Sequence, residues 1–576
     1  MSDLYTAAFL AHRSLTVVVV VIALLAATAH AQTTPDAGSL LREAERAPRA
    51  LPTPLQAETQ QPPPASEADS IRVLAKAIEF SGNALLTQSQ LQDAVAPWVG
   101  QELNFSQLQQ VVEAVTQAYR QRGWLATAKL PAQDVSEGTI RIHILESHFG
   151  QIHIDNGGQA LRIHTDLLMR VMTERQQPGA PFNLDALERS GGILNDLPGV
   201  SATPVLSAGQ QEATSDVILK VQDKPLGVGS LQLDNTGSRF TGESKLSFNG
   251  AINNPSGIGD QISLSANTTD GRHSRYVRAG YALPIGHDGW RAGVNASTLD
   301  YNLKSVDAVS DPKAKGDAKT QGLQLSYPLL RGSLHNVSFS ATYDWKTYAN
   351  EMNALPSSHK RIHAGALSLS GDHVDGWGNG GMTLWGAGVT AGQIDLSGNA
   401  NNQNADSSGP RTEGHFEKLS ANIARLQRLT PSLSLWASLT AQQAGKNLDS
   451  SEKMSLGGPS GVRAYPVMEA VGDNGVLSTL ELRYSLNTDW QLTAFYDHGR
   501  IHRDHNASYP GAPVLQTVAL AGRGIGVNWS HAGQWAVRGA LAHRNGDNPL
   551  ADPQKQTDQD GSLKKYRVWL TGVYSF

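Results

Sequence analysis

The feature that most restricts the fold of this chain is a long region of alternating polar and apolar residues. From Pro225 to Phe576 no segment repeats apolar residues at the spacing of a helix. Roughly 16 stretches, each about 9 to 17 residues long, instead alternate with a period of two. A tilted strand of about ten residues can cross a bilayer. The region therefore predicts a mainly β fold, with a 16-stranded transmembrane β-barrel over residues 225–576.

The connections between these strands alternate in length. The strands are predicted to begin near Gly227, Glu243, Asp260, His273, Gly289, Lys319, Leu334, Lys360, Gly380, His415, Ser432, Asn474, Trp490, Val514, Gly533 and Ser562. Long connections follow odd-numbered strands, at 304–318, 350–359, 397–414, 446–473, 503–513 and 546–561. Membrane barrels place long loops outside and tight turns on the periplasmic face. The residues before the barrel are therefore predicted to be periplasmic.

The last strand has one face suited to lipid and one suited to water. The predicted lipid-facing residues are Tyr566, Val568, Leu570, Gly572, Tyr574 and Phe576. The other face carries Lys565, Arg567, Trp569, Thr571 and Ser575, with Val573 as the exception. A chain that ends at Tyr574 and Phe576 without a polar tail predicts an outer-membrane assembly signal. An ordinary edge strand is the alternative, but it would expose these rings to water.

The first 31 residues have the pattern of a secretory signal peptide. An apolar run, "LTVVVVVIALLAA", follows Arg13, and a small-x-small triplet ending at Ala31 predicts cleavage before Gln32. A transmembrane anchor is the alternative, but the run is too short for one. The chain has no cysteine, which suits an oxidising compartment and excludes disulfides and thiolate metal sites.

Residues 32–70 combine one helical segment with a linker. The stretch "GSLLREAERA" at 38–47 predicts a short helix with Ser39 as its N-cap. The Pro-rich stretches "RALPTPLQ" and "QQPPPASEADS" that follow predict a linker. The segment is either a disordered tail or a detachable helix on a long tether.

Residues 71–147 and 148–224 predict two small α+β domains in tandem. The first has the order β-α-α-β-β, and Leu108, Val111 and Val115 recur at helical spacing in its second helix. The second repeats this order weakly. Together they occupy a length consistent with two domains below the usual size.

A glycine-rich loop, "GGPSGVRAYP" at 457–466, contains a single arginine, Arg463. Glycines that would allow sharp turns and a close approach to the barrel wall are Gly457, Gly458 and Gly461. Strand alternation in "WQLTAFYDHG" directs Asp497 into the barrel, and Glu481 and Arg483 are also predicted to point inward. If the loop folds inward, Arg463 can form a charge-assisted pair with Asp497. A solvated surface arginine is the alternative.

These motifs resemble a known family. The loop "GGPSGVRAYP" and the strand "FYDHG" are similar to the signature motifs of the outer-membrane insertase and translocase superfamily. The opening barrel strands, "LQLDNTGSRF", resemble those of two-partner secretion transporters (TpsB), and "IEFSGN" and "LPAQDVSEGTIRIHILE" resemble their first POTRA domain. The motif residues are Gly457, Gly458, Gly461, Val462, Arg463, Ala464 and Tyr465 in the loop and Phe495, Asp497 and Gly499 in the wall. Ala464 departs from the usual glycine.

The resemblance covers roughly residues 38–576 and implies a plugged barrel preceded by two POTRA domains. It implies secretion of one large cognate exoprotein across the outer membrane, without nucleotide hydrolysis and without a cofactor. The other implied partners are outer-membrane lipid and the machinery that inserts barrels. An unfolded exoprotein could add a strand to an exposed POTRA edge, and "TSDVILKV" and "TIRIHILE" are the candidate strands.

Three other functions compete with this interpretation. A barrel assembly factor of the same superfamily is the closest, although such proteins usually carry more than two POTRA units. A passive porin would need neither POTRA domains nor a plug. An enzyme is poorly supported, because the sequence has no H-E-x-x-H, G-x-S-x-G or G-x-G-x-x-G motif. The net charge of -5 gives no electrostatic case for nucleic acid.

Overall fold

The computed structural model describes residues 35–46, 72–304 and 313–576. The signal peptide predicted for 1–31 and nearly all of the predicted linker lie outside the described residues. The first described element is a helix, α1 (Ala37–Glu45), which lies inside the barrel. No helix in the described part of the chain is long and apolar enough to cross a membrane.

The first α+β unit packs two helices against a small sheet. Its elements are β1 (Val73–Leu74), β2 (Ala77–Ser81), α2 (Gln88–Val95), β3 (Glu102–Leu103), α3 (Phe105–Arg120), β4 (Ala126–Lys129) and β5 (Thr139–Glu146). The three-stranded sheet has the order β2-β5-β4. Buried residues of α3, including Val115 and Tyr119, pack in one core with Ile140 and Ile142 of β5. Asn104 and Gln107 form a capping box that starts α3.

The second unit repeats this plan and docks on the barrel. Its elements are β6 (His148–Asp155), α4 (Thr165–Thr173), α5 (Leu184–Asp196), β7 (Val200–Ala208) and β8 (Thr214–Asp223), with the sheet order β6-β8-β7. Arg175 forms a bidentate pair with Asp288 in a tight turn of the barrel, at 2.8 and 2.7 Å, and Arg189 reaches the same carboxylate at 3.2 Å. These contacts hold the second unit against the short-turn end of the barrel.

The sheet orders correct one sequence-based prediction. The stretches "TIRIHILE" and "TSDVILKV", proposed as exposed edges, are β5 and β8, and each is the central strand of its sheet. Both of their edges are already paired, so neither can accept an added strand. Alternation reveals which residues are buried, but it carries no information on the order of strands in a sheet.

Sixteen antiparallel strands close into a barrel. From here the elements are β9 (Gly227–Asp234), β10 (Lys245–Asn253), β11 (Gln261–Thr269), β12 (Ser274–Ile285), β13 (Trp290–Asn302), β14 (Ala314–Arg331), β15 (His335–Met352), β16 (Leu355–Asp375), β17 (Gly381–Asp395), α6 (Ala400–Ser408), β18 (Gly414–Arg428), β19 (Leu433–Ala444), β20 (Met454–Ser455), β21 (Val471–Gly472), β22 (Asn474–Ser485), β23 (Trp490–His502), β24 (Thr517–His531), β25 (Trp535–Arg544) and β26 (Tyr566–Ser575). All of these strands except β20 and β21 belong to the barrel, and β26 pairs with β9 to close it.

Three of the predicted long connections differ from the structure. The predicted connection 304–318 is too long, because β14 already begins at Ala314. The prediction of a loop at 350–359 is wrong, because β15 and β16 continue outward and meet at a two-residue turn. Asn353 and Ala354 in this turn have φ of 52° and 64°, which matches the twist of a tight hairpin. The connection at 397–414 contains an unpredicted helix, α6, which Asn399 caps.

The terminal strand has the predicted faces. Tyr566, Val568 and Leu570 are exposed on the outer wall, whereas Arg567 and Trp569 are buried inside. Phe576 exchanges two backbone hydrogen bonds with Gly229 of β9, at 2.8 and 2.9 Å, so the last residue takes part in closing the barrel.

Candidate pore site: a loop and a helix inside the barrel

The connection between β19 and β22, residues 445–473, folds into the barrel lumen. We call it the inner loop. Its base is the two-stranded ribbon of β20 and β21. Buried inner-loop residues pack against inward-facing wall residues in one apolar cluster: Leu456, Val462, Ala464, Tyr465 and Ala470 from the loop, and Leu477, Phe495, Ile501, Val518, Leu520 and Ala542 from the wall.

Arg463 and Asp497, the two residues whose pairing the sequence suggested, are in contact. Nε and Nη2 of Arg463 donate to the two carboxylate oxygens of Asp497 at 2.7 and 2.8 Å. The backbone N–H of Arg463 and the hydroxyl of Thr479 donate to the same carboxylate, at 3.2 and 2.9 Å. Arg463 is 8% exposed and Asp497 is fully buried. A bidentate pair in this setting is among the stronger polar contacts that a protein can form.

Further wall residues complete the arginine site. Nη1 of Arg463 donates to Glu481 at 2.8 Å, and the other oxygen of Glu481 accepts from Arg483 at 2.6 Å. The guanidinium lies 3.4 Å from the centre of the Phe495 ring. The indole N–H of Trp569 donates to the carbonyl oxygen of Arg463 at 2.7 Å. Strand alternation predicted that Glu481 faces the lumen, but no sequence pattern identified it as a partner of Arg463 or indicated the Trp569 contact.

The loop glycines are needed for this path. Gly458 has φ of +96°, a conformation that other residues rarely adopt. An added Cβ at Gly461 would lie 1.8 Å from the carbonyl oxygen of Leu456, and one at Gly457 would lie 2.0 Å from that of Pro466. In the wall, a Cβ at Gly499 would lie 2.7 Å from the side chain of Leu456. Each of these close approaches excludes a side chain.

Ala464, which departs from the family motif, fits without strain. It is fully buried, and its backbone is outside the positive-φ region. The space for its methyl group comes from a glycine in the wall, because a Cβ at Gly522 would lie 2.6 Å from the Cβ of Ala464. Tyr465, beside it, is 1% exposed, and the guanidinium of Arg544 lies 4.9 Å from the centre of its ring.

The helix α1 begins one turn earlier than the sequence suggested. Its N-cap is Asp36, not Ser39: Asp36 accepts from the backbone N–H of Ser39 at 2.9 Å, and the Ser39 hydroxyl completes the capping box. Lys360 of β16 donates to Asp36 at 3.0 Å, and Ser450 donates to it at 2.6 Å. Burial alone would raise the pKa of Asp36, but Lys360 and these hydrogen bonds hold the pKa well below its usual range.

Besides its N-cap, the helix contacts the wall through one small apolar face and through one carboxylate at its C-terminal end. Ala37, Leu40 and Leu41 are buried in a cluster with wall residues that include Leu299 and Tyr348. At the other end of the helix, Glu45 lies near three inward-facing wall residues: Arg278 at 3.6 Å, Tyr276 at 3.3 Å and Ser297 at 3.3 Å. The helix is therefore fixed at both ends.

The helix also contacts the inner loop directly. Arg42 donates to the carbonyl oxygens of Ser450, at 2.7 Å, and Lys453, and Arg46 donates to that of Ser460 at 3.1 Å. Lys360 bridges the two elements, since it pairs with Asp36 of the helix cap and with Asp449 of the loop at 2.8 Å. The helix and the loop thus form one unit that occupies the lumen.

A second group of charges fixes the base of the inner loop. Glu452 is 4% exposed and pairs with two wall lysines, Lys346 at 3.0 Å and Lys418 at 2.8 Å. Burial alone would raise the pKa of Glu452, but these lysines lower it to about 2, so the carboxylate is ionised at neutral pH. Lys453 pairs with Asp473 and Asp504 at 3.0 and 3.1 Å.

One buried carboxyl group of the inner loop has no basic partner among the described residues. Glu469 is 1% exposed and accepts from the Asn548 amide at 2.6 Å and from the backbone N–H of Gln559 at 3.1 Å. Burial and the nearby Asp558 raise its pKa to about 8, so the group is mostly protonated at neutral pH. Within residues 35–46, 72–304 and 313–576, no group of three His, Asp or Glu residues is placed to hold a metal ion.

Comparison with known proteins identifies the family. The family described as "Haemolysin secretion/activation protein ShlB/FhaC/HecB" matches residues 213–529, and the ShlB-type POTRA domain matches residues 73–147. The heme/hemopexin transporter protein HuxB of Haemophilus influenzae (strain 86-028NP) is 26% identical over 561 residues, which cover 94% of this chain and 95% of HuxB.

Two further relatives agree. The outer membrane transporter CdiB of Dickeya dadantii (strain 3937) is 27% identical over 431 residues, 72% of each chain. The solved structure of CdiB from Escherichia coli superposes with a TM-score of 0.68 at 23% identity, covering 90% of this chain and 93% of that one. The fold, the POTRA match and the outer-membrane relatives are consistent with a barrel in the outer membrane and POTRA units in the periplasm. The chain therefore belongs to the ShlB/FhaC/HecB family of haemolysin secretion/activation proteins and is an outer-membrane secretion transporter.

Proposed function

We propose that this transporter secretes one large cognate exoprotein, which its POTRA domains bind in the periplasm, through the barrel pore without nucleotide hydrolysis. The proposed domains are the signal peptide 1–31, the plug helix and linker 32–70, the POTRA domains 71–147 and 148–224, and the barrel 225–576. The inward-folded loop predicted at 446–473 corresponds to the inner loop, residues 445–473. The observation that carries the proposal is that the plug helix and the inner loop fill the lumen and are held there by non-covalent contacts. A pore of this kind can be closed at rest and opened for one substrate.

The plug helix is suited to leave the lumen. It has nine residues, too few for a stable helix in water without tertiary contacts. Its buried apolar residues are one alanine and two leucines, so the hydrophobic contribution to its retention is about 3 to 6 kcal/mol. The ion pairs at both ends exchange with water once the helix moves. Release thus requires a free energy that substrate binding can supply.

The inner loop would stay as a guide while the substrate passes. Its arginine site is buried on β22 and β23 and does not contact α1. The proposed roles are a pore-loop motif for Gly457, Gly458, Gly461, Val462, Arg463, Ala464 and Tyr465, and a wall anchor for Phe495, Asp497 and Gly499. The proposed assembly signal is the terminal pair Tyr574 and Phe576, which the barrel assembly machinery would read.

For substrate capture, we propose the β7 edge of the second POTRA domain. The edge strands are β2 and β4 in the first sheet and β6 and β7 in the second. Side chains of α2 already occupy β2, where Gln92 and Gln88 donate to the carbonyl oxygens of Ile78 and Phe80 at 2.6 and 3.2 Å. On β7, Asn195 of α5 occupies the edge at Ala202, at 2.5 and 3.1 Å, and Pro204 has no N–H to donate. The accessible part of this nine-residue strand is therefore its second half, which exposes Val205 and Leu206. An extended substrate could pair with this edge through main-chain hydrogen bonds.

We propose a transport function and assign no catalytic residues to this chain. The family and the named relatives are transporters. The name of HuxB assigns heme/hemopexin transport to that protein. For this chain we propose a large exoprotein as cargo.

The test is co-expression with the large β-rich exoprotein encoded nearest to this chain, followed by measurement of exoprotein in the medium. We compare the parent with Arg463→Ala, Asp497→Ala, a deletion of 71–224, and the β7 variant Val205→Lys/Leu206→Lys. The control is Val99→Lys, which places one lysine at an exposed valine of the first domain. Barrel level in the outer membrane is measured for every variant.

We expect the parent and Val99→Lys to secrete and the other four variants to insert but secrete at least about tenfold less. A β7 variant that secretes normally would contradict capture at this edge. Normal secretion by all variants, with loss of other outer-membrane proteins when the chain is removed, would identify a barrel assembly factor instead.

A further inference from the structure

The outer wall of the barrel carries a group of basic residues that the proposed secretion function does not use. We call it the basic rim. It consists of His498, Arg500 and His502 on β23, Arg523 on β24 and His543 on β25. The strand register pairs Arg523 with His543. It pairs His498 with Ala521, which lies two residues before Arg523 on β24. His543 is half-buried against the ring of Tyr566, and the other four side chains are exposed.

The basic rim begins where the lipid-facing belt ends. On β23 the outward positions run from Trp490 and Leu492 through Ala494 to Tyr496, and the next one is His498. On β24, starting at Trp529 and moving toward the extracellular end, the lipid-facing residues are Val527, Ile525 and then Arg523. On β25, Leu541 precedes His543. The aromatic residues mark the periplasmic interface, so the rim lies at the level of the outer-leaflet headgroups.

The arginines of the basic rim have no acidic partner in the described residues. Outward positions of β22 to β26, all within the described range 474–576, include no Asp or Glu, and the ion pairs of this region do not involve Arg500 or Arg523. Elsewhere on the outer wall, basic residues are paired with carboxylates: Arg275 with Asp300 at 4.0 Å, Lys315 with Glu351 at 3.0 Å, Lys319 with Asp317 at 3.8 Å and Arg361 with Asp395 at 2.7 Å. Among the described barrel strands, outward-facing arginines without an acidic partner therefore occur in this sector.

An apolar groove adjoins the basic rim. It has a volume of about 1110 Å³ and ends at Arg500 and His502. Its exposed apolar lining includes Leu367, Val389, Leu419 and Val476. Small residues between them, such as Gly388, Ala421 and Ala441, form the floor. An acyl chain lying in the groove would bring its headgroup to Arg500.

We propose that the basic rim and this groove bind a phosphorylated glycolipid of the outer leaflet. Arg500 and Arg523 would pair with its phosphate groups, since a guanidinium matches phosphate geometry with two parallel hydrogen bonds. The groove would hold an acyl chain of the same molecule. At the edge of the hydrocarbon layer an unpaired arginine is costly, and an anionic headgroup supplies the missing partner. The site is on the opposite side of the wall from the pore and does not depend on the secretion proposal.

The test measures binding of bis-phosphorylated lipid A to the purified full-length chain in detergent by native mass spectrometry. The variant Arg500→Gln/Arg523→Gln removes both charges and keeps polar side chains. The matched control is Arg361→Gln, because Arg361 also faces outward but is paired with Asp395. Heat-modifiable mobility on a gel verifies that each barrel is folded. Monophosphoryl lipid A and inorganic phosphate serve as alternative ligands.

We expect the double variant to bind lipid A about 100-fold more weakly, roughly tenfold for each arginine. The control should bind within threefold of the parent, and monophosphoryl lipid A should bind the parent about tenfold more weakly. Unchanged lipid A affinity in the folded double variant would overturn the proposal. Three other results would also overturn it. They are an equal loss of lipid A affinity in Arg361→Gln, and full displacement of lipid A by inorganic phosphate at millimolar concentration. The third is a lipid-free dimer of the parent that becomes a monomer in the double variant.

Discussion

Replacement of Arg463 by methionine should release the inner loop from the barrel wall. The arginine donates three side-chain hydrogen bonds, two to Asp497 and one to Glu481. Methionine preserves much of the side-chain length but leaves Asp497 buried without its counter-charge, whereas Glu481 retains Arg483. Breaking a buried ion pair in this way costs about 3 to 5 kcal/mol. The equilibrium between the docked and undocked loop should therefore shift by about 150- to 5000-fold.

The chain has no cysteine, so one introduced thiol can report on the loop. Ser455 is suited to this purpose, because it is 7% exposed and its hydroxyl has no hydrogen-bond partner in the described structure. Ser455→Cys is nearly isosteric. Its maleimide labelling rate is expected to follow the fraction of open loop when opening and closing are fast. We expect Arg463→Met to increase this rate by at least about 100-fold.

Two further variants separate this explanation from a general loss of stability. Arg463→Met/Asp497→Leu removes both charges, so its labelling should be slower than that of Arg463→Met alone. Arg361→Met breaks an exposed pair on the outer wall and should not change the rate. A rate for Arg463→Met within twofold of the parent would refute the conclusion that this arginine holds the loop.

Three other perturbations give distinct outcomes. Asp36→Asn keeps a capping side chain but loses the ion pair with Lys360, so the plug should leave the lumen more often. We expect roughly tenfold more open-pore conductance in planar bilayers. Unchanged conductance would contradict the role of this pair. The folded-state pKa of Glu469, about 8, exceeds its ordinary value of 4.5, so its stabilising contribution is complete below pH 4.5 and is lost as pH rises through 8. The apparent melting temperature should fall between pH 6 and pH 9, and Glu469→Gln should reduce this fall. Phe576→Ala should lower the amount of folded barrel in the outer membrane several-fold without changing its melting temperature, because the backbone pairing with Gly229 remains.

The barrel strands were predictable because each has a lipid side and a lumen side. Every predicted start lies within a few residues of an observed one, for example Trp490 for β23 and Asn474 for β22. The same alternation placed Asp497 inside the barrel and so led to its pairing with Arg463. This success depends on the membrane, since lipid forces apolar residues onto one face of each strand.

The errors occur where that constraint is absent. The outer ends of β15 and β16 extend into water, so residues 350–359 show no apolar alternation although they form a hairpin. The N-cap of α1 is Asp36 because Lys360 and Ser450, both distant in sequence, favour a carboxylate there. Strand order in the POTRA sheets, and the partnership of Glu481 with Arg463, also depend on contacts between distant segments. None of these contacts leaves a local pattern.

The position of Lys360 has a consequence for the order of events at the pore. Its ammonium group neutralises one carboxylate from the plug and one from the inner loop, and departure of either element leaves the lysine paired with the other. The two elements are thus thermodynamically linked, and the linkage is reciprocal. If a bound plug changes the equilibrium constant for loop docking by some factor, a docked loop changes the equilibrium constant for plug binding by the same factor. A ligand that acts on only one of them therefore shifts both equilibria.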